Sequence, residues 1–243
     1  TSIKHQTFFG HLLPEAHSSF PTGFNVVSFY ADPETLLTQS YVLRKDSWRD
    51  SEGVYQRILI PAKIRRMRRY LVDIKRVFVN NIIVTLPANT PLNDPKDPGR
   101  NLDSKSLQKV TPVSIQIPIS SNTIGLVDGQ HRVFCYYEGT DTYEKTISAL
   151  RKRQNLLVTG LIFPAGWRDD KQRRFEAQMF LEINDTQARA KADLKQSIEL
   201  VLNPLSPTAI AKEISNRLSR HGALCDLLQS SVFDPPGRIK TTS

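Results

Sequence analysis

A chain of 243 residues, 39% of them hydrophobic and 23% charged, suits a globular protein with one large domain or two small ones. No apolar run approaches ~18 residues, and the N-terminus lacks the apolar core of a signal peptide, so we expect no membrane span and a cytoplasmic location. The net charge of +9 favours polyanionic partners. The only two cysteines, Cys135 and Cys225, are expected to be buried thiols.

Hydrophobic periodicity and turn residues predict alternating strands and helices, followed by a helical C-terminal part. In chain order the predicted elements are a strand at Gly23–Tyr30, a short helix from Asp32-Pro33 to Leu37, a helix at Pro61–Val77, a strand at Asn81–Leu86, a proline-rich loop at Pro87–Pro112, a strand at Val113–Ile119, a short strand at Gly125–Val127, helices at His131–Tyr137 and Thr142–Arg153, a strand at Asn155–Phe163, and helices at Asp169–Ile183, Lys191–Leu202 and from Ser206-Pro207 to about Gly222.

The helix predicted from Pro61 carries an unusual concentration of positive charge. Eight basic residues and one acid lie between Arg57 and Arg76. At 100° per residue, one stripe is apolar and the opposite side is basic, which predicts a docked helix that presents guanidinium groups. The candidate DNA-contacting residues are Lys63, Arg65, Arg66, Arg68, Arg69 and Arg76. A solvated helix face is the competing interpretation of such a charge run.

The run Asp128-Gly129-Gln130-His131-Arg132 is the main candidate site. Unpaired amides at a helix start attract phosphate, Gly129 permits a tight turn, and Arg132 can fork onto two phosphate oxygens. His131 can donate to a phosphate or titrate near neutral pH. Asp128 can cap the helix, hold Arg132 or ligate Mg²⁺. An ordinary Asp-Gly turn before a helix is the alternative.

Four motifs in order carry a resemblance to a known family. They are Tyr55–Arg57 with the helix after it, Phe78–Val84 with its Asn-Ile-Ile-Val strand, Leu126–Arg132, and Phe180–Gln187 with its Ile-Asn-Asp-Thr-Gln segment. With these motifs the chain from Gly53 to Leu202 resembles the DGQHR-domain proteins. That group includes the DndB-like proteins of bacterial DNA phosphorothioation systems and is similar to a branch of the ParB/sulfiredoxin-like superfamily. The bulky residues after Arg132 and the proline-rich loop depart from the family pattern.

The resemblance implies an α+β (α/β-like) fold with a ParB/sulfiredoxin-like mixed-sheet core and a helical C-terminal region. The implied division is an N-terminal strand/helix segment at 1–52 packing on the core, a DGQHR core at 53–190, and a C-terminal helical region at 191–243 that is expected to continue past the given sequence. The implied ligand is a nucleotide phosphate, with a nucleoside triphosphate and Mg²⁺ as the expected cofactor. The implied phosphate- or nucleotide-binding residues are Arg57, Asp128, Gly129, Gln130, His131, Arg132, Asn184 and Gln187. Helix capping by Asn184 is an equal alternative.

For function, the resemblance implies a DNA-binding regulatory or accessory protein of a bacterial DNA-modification or phage-defence system, acting in transcription regulation. The alternative is a nucleotide hydrolase or DNA-nicking enzyme that uses Mg²⁺ in the same pocket, with Asp128 or His131 as the catalytic base. A third possibility is an interaction module whose helical C-terminal region forms a homo-oligomer. The sequence contains no Gly-x-x-x-x-Gly-Lys-Ser/Thr loop and no zinc-type Cys or His spacing, so no protein metal site is predicted.

Overall fold

A nine-stranded mixed sheet forms the centre of the larger of two compact units. The structure, a computed structural model, describes residues 4–42, 59–185, 199–221, 224, 225 and 227. The strands are β1 (His5–Leu13), β2 (Asn25–Ala31), β3 (Ser40–Val42), β4 (Ile82–Leu86), β5 (Leu92–Asp94), β6 (Asp97–Asn101), β7 (Thr111–Pro118), β8 (Ile124–Asp128) and β9 (Leu156–Ile162). Their order across the sheet is β3-β8-β4-β9-β2-β1-β7-β5-β6.

Parallel and antiparallel pairs are combined in this sheet. β3 runs parallel to β8, and β4 runs parallel to β9, whereas the remaining neighbours are antiparallel. The two N-terminal strands, β1 and β2, lie in the middle of the sheet between β9 and β7. The predicted combination of a mixed sheet with several helices is confirmed.

Four helices share one hydrophobic core with one face of the sheet. The described helices are α1 (Glu15–Ser18), α2 (Pro33–Gln39), α3 (Pro61–Ile74), α4 (Gln130–Phe134), α5 (Glu144–Arg153), α6 (Asp169–Asp185) and α7 (Pro207–His221). The helix α2 begins as its sequence predicts, because Asp32 Oδ1 accepts a hydrogen bond from Thr35 N at 2.8 Å and Pro33 occupies the first turn. Leu36, Leu71, Val133 and Leu150 bring α2, α3, α4 and α5 into this core.

Several predicted elements need correction. The loop predicted over Pro87–Pro112 contains the hairpin β5–β6, which the hydrophobic pattern missed because every residue of β6 is exposed. The strand β1 was not among the predicted elements. The helix α3 ends at Ile74 rather than near Val77, because Lys75 takes a left-handed backbone with φ 56°. Ile74, which the helical periodicity places on the predicted apolar stripe, is 53% exposed and does not pack in the core.

The chain forms two compact units. One comprises Thr1–Val42 with Pro61–Arg168 and contains the whole sheet, and the other comprises Leu43–Ile60 with Asp169–Ser243. In the second unit, Arg174 Nη2 donates to Leu202 O at 2.7 Å. The predicted start of α7 is confirmed, since Ser206 Oγ accepts from Ala209 N at 3.1 Å. The division into 1–52, 53–190 and 191–243 stays a prediction.

Candidate ligand site at the Asp128–Arg132 turn

A bulge in β8 directs Asp128 before the chain turns. Leu126 pairs with Val84, and Asp128 pairs with Ile83, so β8 has one extra residue between these two pairs. Such bulges re-aim side chains and are frequent beside functional sites. Every residue of β8 is buried, including Asp128, which is only 8% exposed. The sequence therefore places a carboxylate at a fixed and largely enclosed position.

Gly129 makes the turn possible. It has φ 92°, a left-handed value, and it caps the start of α4. A Cβ at this position would lie 2.6 Å from Ile82 Cδ1 and 3.1 Å from Arg132 Nη2. Both the backbone conformation and the close approach of these side chains require glycine. The predicted strand-turn-helix junction is confirmed, although α4 ends at Phe134 instead of continuing to Tyr137.

The Arg132 guanidinium is held by protein groups. Its Nη2 donates to Asn81 O at 2.7 Å and to Asp128 Oδ2 at 2.9 Å. The side chains of Arg132 and Asp128 are 20% and 11% exposed. The amides of Arg132 and Val133 both donate to Gly129 O, at 2.8 and 3.1 Å. The simplest form of the predicted phosphate site requires amides that point at an external oxyanion. These two amides do not, because both donate to Gly129 O.

Polar atoms without hydrogen-bond partners accumulate around the same turn. Gln130 is 1% exposed, and both its Oε1 and Nε2 lack a partner. Arg132 Nε and Asn81 Oδ1 are also buried without a partner, although Asn81 Nδ2 donates to Thr159 Oγ1 at 2.8 Å. An unsatisfied buried polar group costs about 1–3 kcal/mol, so native proteins normally pair such groups with protein, water or ligand. The turn thus offers two donors and two acceptors to a bound molecule.

The remaining predicted pocket residues are only partly described. His131 is buried, with 6% of its surface exposed. Arg57 and Gln187 lie outside the described residues. Asn184 lies in the last turn of α6, but its side chain is outside the description as well. A shared pocket between these residues and the turn stays a prediction.

The basic side of α3 is present, with one exception. Lys63, Arg65, Arg66 and Arg69 of α3 are exposed, and so is Arg76, which lies just after the helix. Arg69 forms an exposed ion pair of 3.4 Å with Asp73, and Arg76 donates to Tyr70 Oη at 3.0 Å. The prediction that Arg68 belongs to this surface is wrong, because its side chain is 1% exposed and lies inside the protein.

Arg68 instead connects α3 to the far end of α4 and to α5. It donates from Nε and Nη2 to Asp141 at 2.7 and 2.8 Å, and from Nη1 to Cys135 O and Tyr137 O at 3.0 and 2.8 Å. Nη2 also donates to Glu144 at 3.1 Å. No local sequence signal identifies this cluster, because its carboxylates lie 73 and 76 residues away from Arg68 along the chain.

Burial and charge pairing shift the pKa values in this cluster. Burial alone would lower the pKa of Arg68, but its hydrogen bonds to Asp141 and Glu144 outweigh burial and raise that pKa above its ordinary value. The hydrogen bond from Arg68 lowers the pKa of Asp141. Burial raises the pKa of the Cys135 thiol. The predicted burial of Cys135 is confirmed, whereas that of Cys225 is wrong because this thiol is exposed.

Metal clusters and membrane-spanning helices are absent from the described residues. That part of the chain contains no group of three or more His, Cys, Asp and Glu residues able to hold a metal ion. None of its helices has the length and apolar character needed to cross a membrane. No protein-family model, curated protein or solved structure matches the chain.

Proposed function

We propose that this chain is a DNA-binding regulatory or accessory protein whose Asp128–Arg132 turn holds a nucleotide or a DNA phosphate, as its resemblance to DGQHR-domain proteins of DNA-modification and phage-defence systems implies. The ParB/sulfiredoxin-like nature of the core is part of the same proposal. The observation that carries it is the set of buried, unpartnered polar atoms on Gln130, Arg132 and Asn81. Such atoms are normally paired with protein, water or a ligand, and a bound nucleotide would supply matching acceptors and donors.

The chemistry of these atoms shapes the expected contacts. Arg132 Nε needs an acceptor such as a phosphate oxygen, and Asn81 Oδ1 needs a donor. The Gln130 carboxamide needs one of each. Asp128 holds the guanidinium through Nη2 and so fixes the direction of Nε. A ligand that combines an oxyanion with hydroxyl or amino groups fits this set better than inorganic phosphate alone.

A nucleotide-borne Mg²⁺ would have few protein ligands here. Asp128 is the one carboxylate of the turn, and its Oδ2 already accepts from Arg132. Mg²⁺ in nucleotide sites commonly uses one or two carboxylates together with phosphate oxygens. The described residues do not assemble a metal site by themselves, so the proposal includes no step through Mg²⁺. The hydrolase or nicking alternative has no specific support in this geometry.

The DNA partner is supported by α3. Four exposed basic residues of this helix, Lys63, Arg65, Arg66 and Arg69, are accompanied by a single acid, Asp73. Contacts of this kind are made to phosphates and supply salt-dependent affinity rather than base recognition. A homo-oligomer formed through the C-terminal region stays part of the proposal, and α7 exposes Ile210, Ile214 and Leu218.

The nucleotide site is tested with Gln130→Met, which keeps the approximate shape and removes the amide. We expect the unliganded variant to unfold at or above the wild-type temperature, because replacing an unsatisfied buried amide with an apolar group removes a cost. We expect ATP, GTP or CTP at a concentration about 100 times Kd to raise the wild-type midpoint by roughly 5–10 °C and to leave the variant unchanged. Equal nucleotide shifts for both proteins, or none for either, contradict the nucleotide site.

The DNA surface is tested with Arg65→Glu combined with Arg69→Glu. The matched control is Lys152→Glu with Arg153→Glu, the same charge change at exposed positions of α5. The α3 variant should weaken duplex binding and flatten its salt dependence by about 0.9 in log–log slope for each lost phosphate contact. Equal losses in the two variants would mean that only overall charge matters. The enzyme alternative is tested by Asp128→Ala. If the wild-type protein hydrolyses nucleotide, and this variant loses hydrolysis but keeps DNA binding, the enzyme hypothesis replaces the regulator hypothesis.

A further inference from the structure

The carboxylate of the turn, Asp128, lies on the face of the sheet opposite to the core, which we call the outer face. Alternate residues of a strand point to opposite faces, and directly paired residues point to the same one. Asp128 pairs with Ile83, and Ile83 pairs with Thr159. Thr159 pairs in turn with Ser28. These four side chains form a row across β8, β4, β9 and β2, whereas Ile82, one residue before Ile83, belongs to the core.

A second row on the outer face begins at Asn81 and ends at an exposed aromatic ring. The Asn81 side chain points to this face, because its Nδ2 donates to Thr159 Oγ1 at 2.8 Å. The parallel register of β4 with β9, continued by one residue, sets Asn81 level with Leu157. Leu157 pairs with Tyr30 on β2. Adjacent strands lie about 4.8 Å apart, so Tyr30 is two strands, or about 10 Å, from Asn81.

Burial decreases along this second row. At its start, Arg132 Nη2 donates to Asn81 O at 2.7 Å, and both Arg132 Nε and Asn81 Oδ1 are buried without a partner. Leu157 is half-buried, and Tyr30 is 62% exposed. A molecule that satisfies the two buried atoms and extends toward solvent along β9 and β2 therefore lies over Leu157 and Tyr30.

Charge is confined to one end of this row. Neither β2 nor β9 contains an Asp, Glu, Lys or Arg residue, whereas Arg132 and Asp128 meet at the turn. A ligand matched to this arrangement has an anionic end at the guanidinium and an uncharged, partly apolar end over β9 and β2. Ligand sites commonly combine an apolar lining with a few placed polar groups of this kind.

We propose that the outer face holds the nucleoside end of the nucleotide whose phosphate lies at the turn, with its base on Leu157 and Tyr30. This inference rests on the proposed function and adds the position of the sugar and the base. Arg132 Nε donates to a phosphate oxygen, and Asn81 Oδ1 accepts from a ribose hydroxyl. The base packs on Leu157 and stacks on the Tyr30 ring, a contact that does not depend on base identity.

The test compares ATP with tripolyphosphate, which lacks the nucleoside, by isothermal titration calorimetry of the full chain. Tyr30→Ala should weaken ATP binding by about 5-fold or more, the loss expected for one stacked base, and should not weaken tripolyphosphate binding. GTP and CTP should show the same dependence on Tyr30. 2′,3′-Dideoxy-ATP lacks both ribose hydroxyls and should bind the wild-type protein about 2- to 13-fold more weakly than ATP, the effect of one hydrogen bond.

Two further variants provide the controls. Tyr30→Phe keeps the ring and should bind ATP as the wild-type protein does. Phe9→Ala removes a ring that is 68% exposed on the same face, one strand further from the turn, and should leave ATP affinity unchanged. The nucleoside subsite is overturned if Tyr30→Ala binds ATP as the wild type does, or if Phe9→Ala weakens ATP binding equally.

Gln130→Met reports separately on the turn. ATP binding that is lost in Gln130→Met but intact in Tyr30→Ala contradicts the nucleoside subsite and leaves the proposed function standing. Equal weakening of ATP and tripolyphosphate by Tyr30→Ala also contradicts the subsite, because the ring would then act on the phosphate end. A wild-type protein that binds no ATP, GTP or CTP overturns the nucleotide site and the nucleoside subsite together.

Discussion

Replacing Gly129 with alanine tests whether the turn depends on both its backbone conformation and its close packing. An alanine at φ 92° carries a left-handed strain of about 1–3 kcal/mol. Its Cβ would lie 2.6 Å from Ile82 Cδ1, well inside the normal carbon–carbon separation of about 3.5–4.0 Å. Ile82 is 0% exposed, so its methyl group cannot swing into solvent, and overpacking of this kind costs about 1–3 kcal/mol.

The two effects together predict a loss of about 2–6 kcal/mol in the free energy of unfolding. A loss of about 4 kcal/mol corresponds to a fall of roughly 8–16 °C in the thermal midpoint for a domain of this size. Urea unfolding followed by circular dichroism measures the free energy directly. Most domains have a free energy of unfolding of about 5–15 kcal/mol. A loss of about 4 kcal/mol should therefore leave the variant folded at low temperature.

Gly166 supplies the matched control. It has φ 83°, yet a Cβ there would meet no atom within 4 Å, so Gly166→Ala should show the backbone strain alone. Adding Ile82→Val to Gly129→Ala removes the clashing Cδ1 and should recover about 1–3 kcal/mol relative to additive behaviour. The reasoning is refuted if Gly129→Ala and Gly166→Ala lose the same stability and Ile82→Val gives no recovery.

Arg68→Met should destabilise the protein by about 2–4 kcal/mol, since it leaves buried acceptors unpaired, whereas Arg69→Met at an exposed position should change stability by less than about 0.5 kcal/mol in urea titrations. The folded-state pKa of Asp141 is lowered, so its pairing with Arg68 stabilises the protein above about pH 4, and this stabilisation is lost as the pH falls further. The free energy of unfolding should therefore fall less steeply with acid in Arg68→Met than in the wild type. An unchanged acid dependence contradicts the pairing. A thiol reagent at neutral pH should modify Cys225 alone in the native protein and Cys135 only after unfolding; rapid native reaction of both thiols contradicts the burial of Cys135.

Local signals identified the elements whose causes are local. Helices begin at Asp32-Pro33 and Ser206-Pro207 because the Asp and Ser side chains accept hydrogen bonds from first-turn amides and proline fits the first turn. The Asp-Gly pair at 128–129 forms its turn because glycine accepts a left-handed backbone. The hairpin β5–β6 escaped prediction because the exposed residues of β6 carry no apolar alternation. The strand β1 escaped it as well, and with it the antiparallel pairing of β1 with β2 and β7.

The sequence alone was enough to infer three features: the Asp128–Arg132 junction, the basic helix and the mixture of helices and strands. Each depends on residues only a few positions apart. Tertiary structure decided that Arg68 is a buried connector while Arg65 and Arg69 face solvent. It also decided that Arg132 is held by the carbonyl of Asn81. These outcomes depend on groups that come together from distant parts of the chain. Helical and strand periodicity describes only neighbouring residues, so it does not predict which buried groups pair.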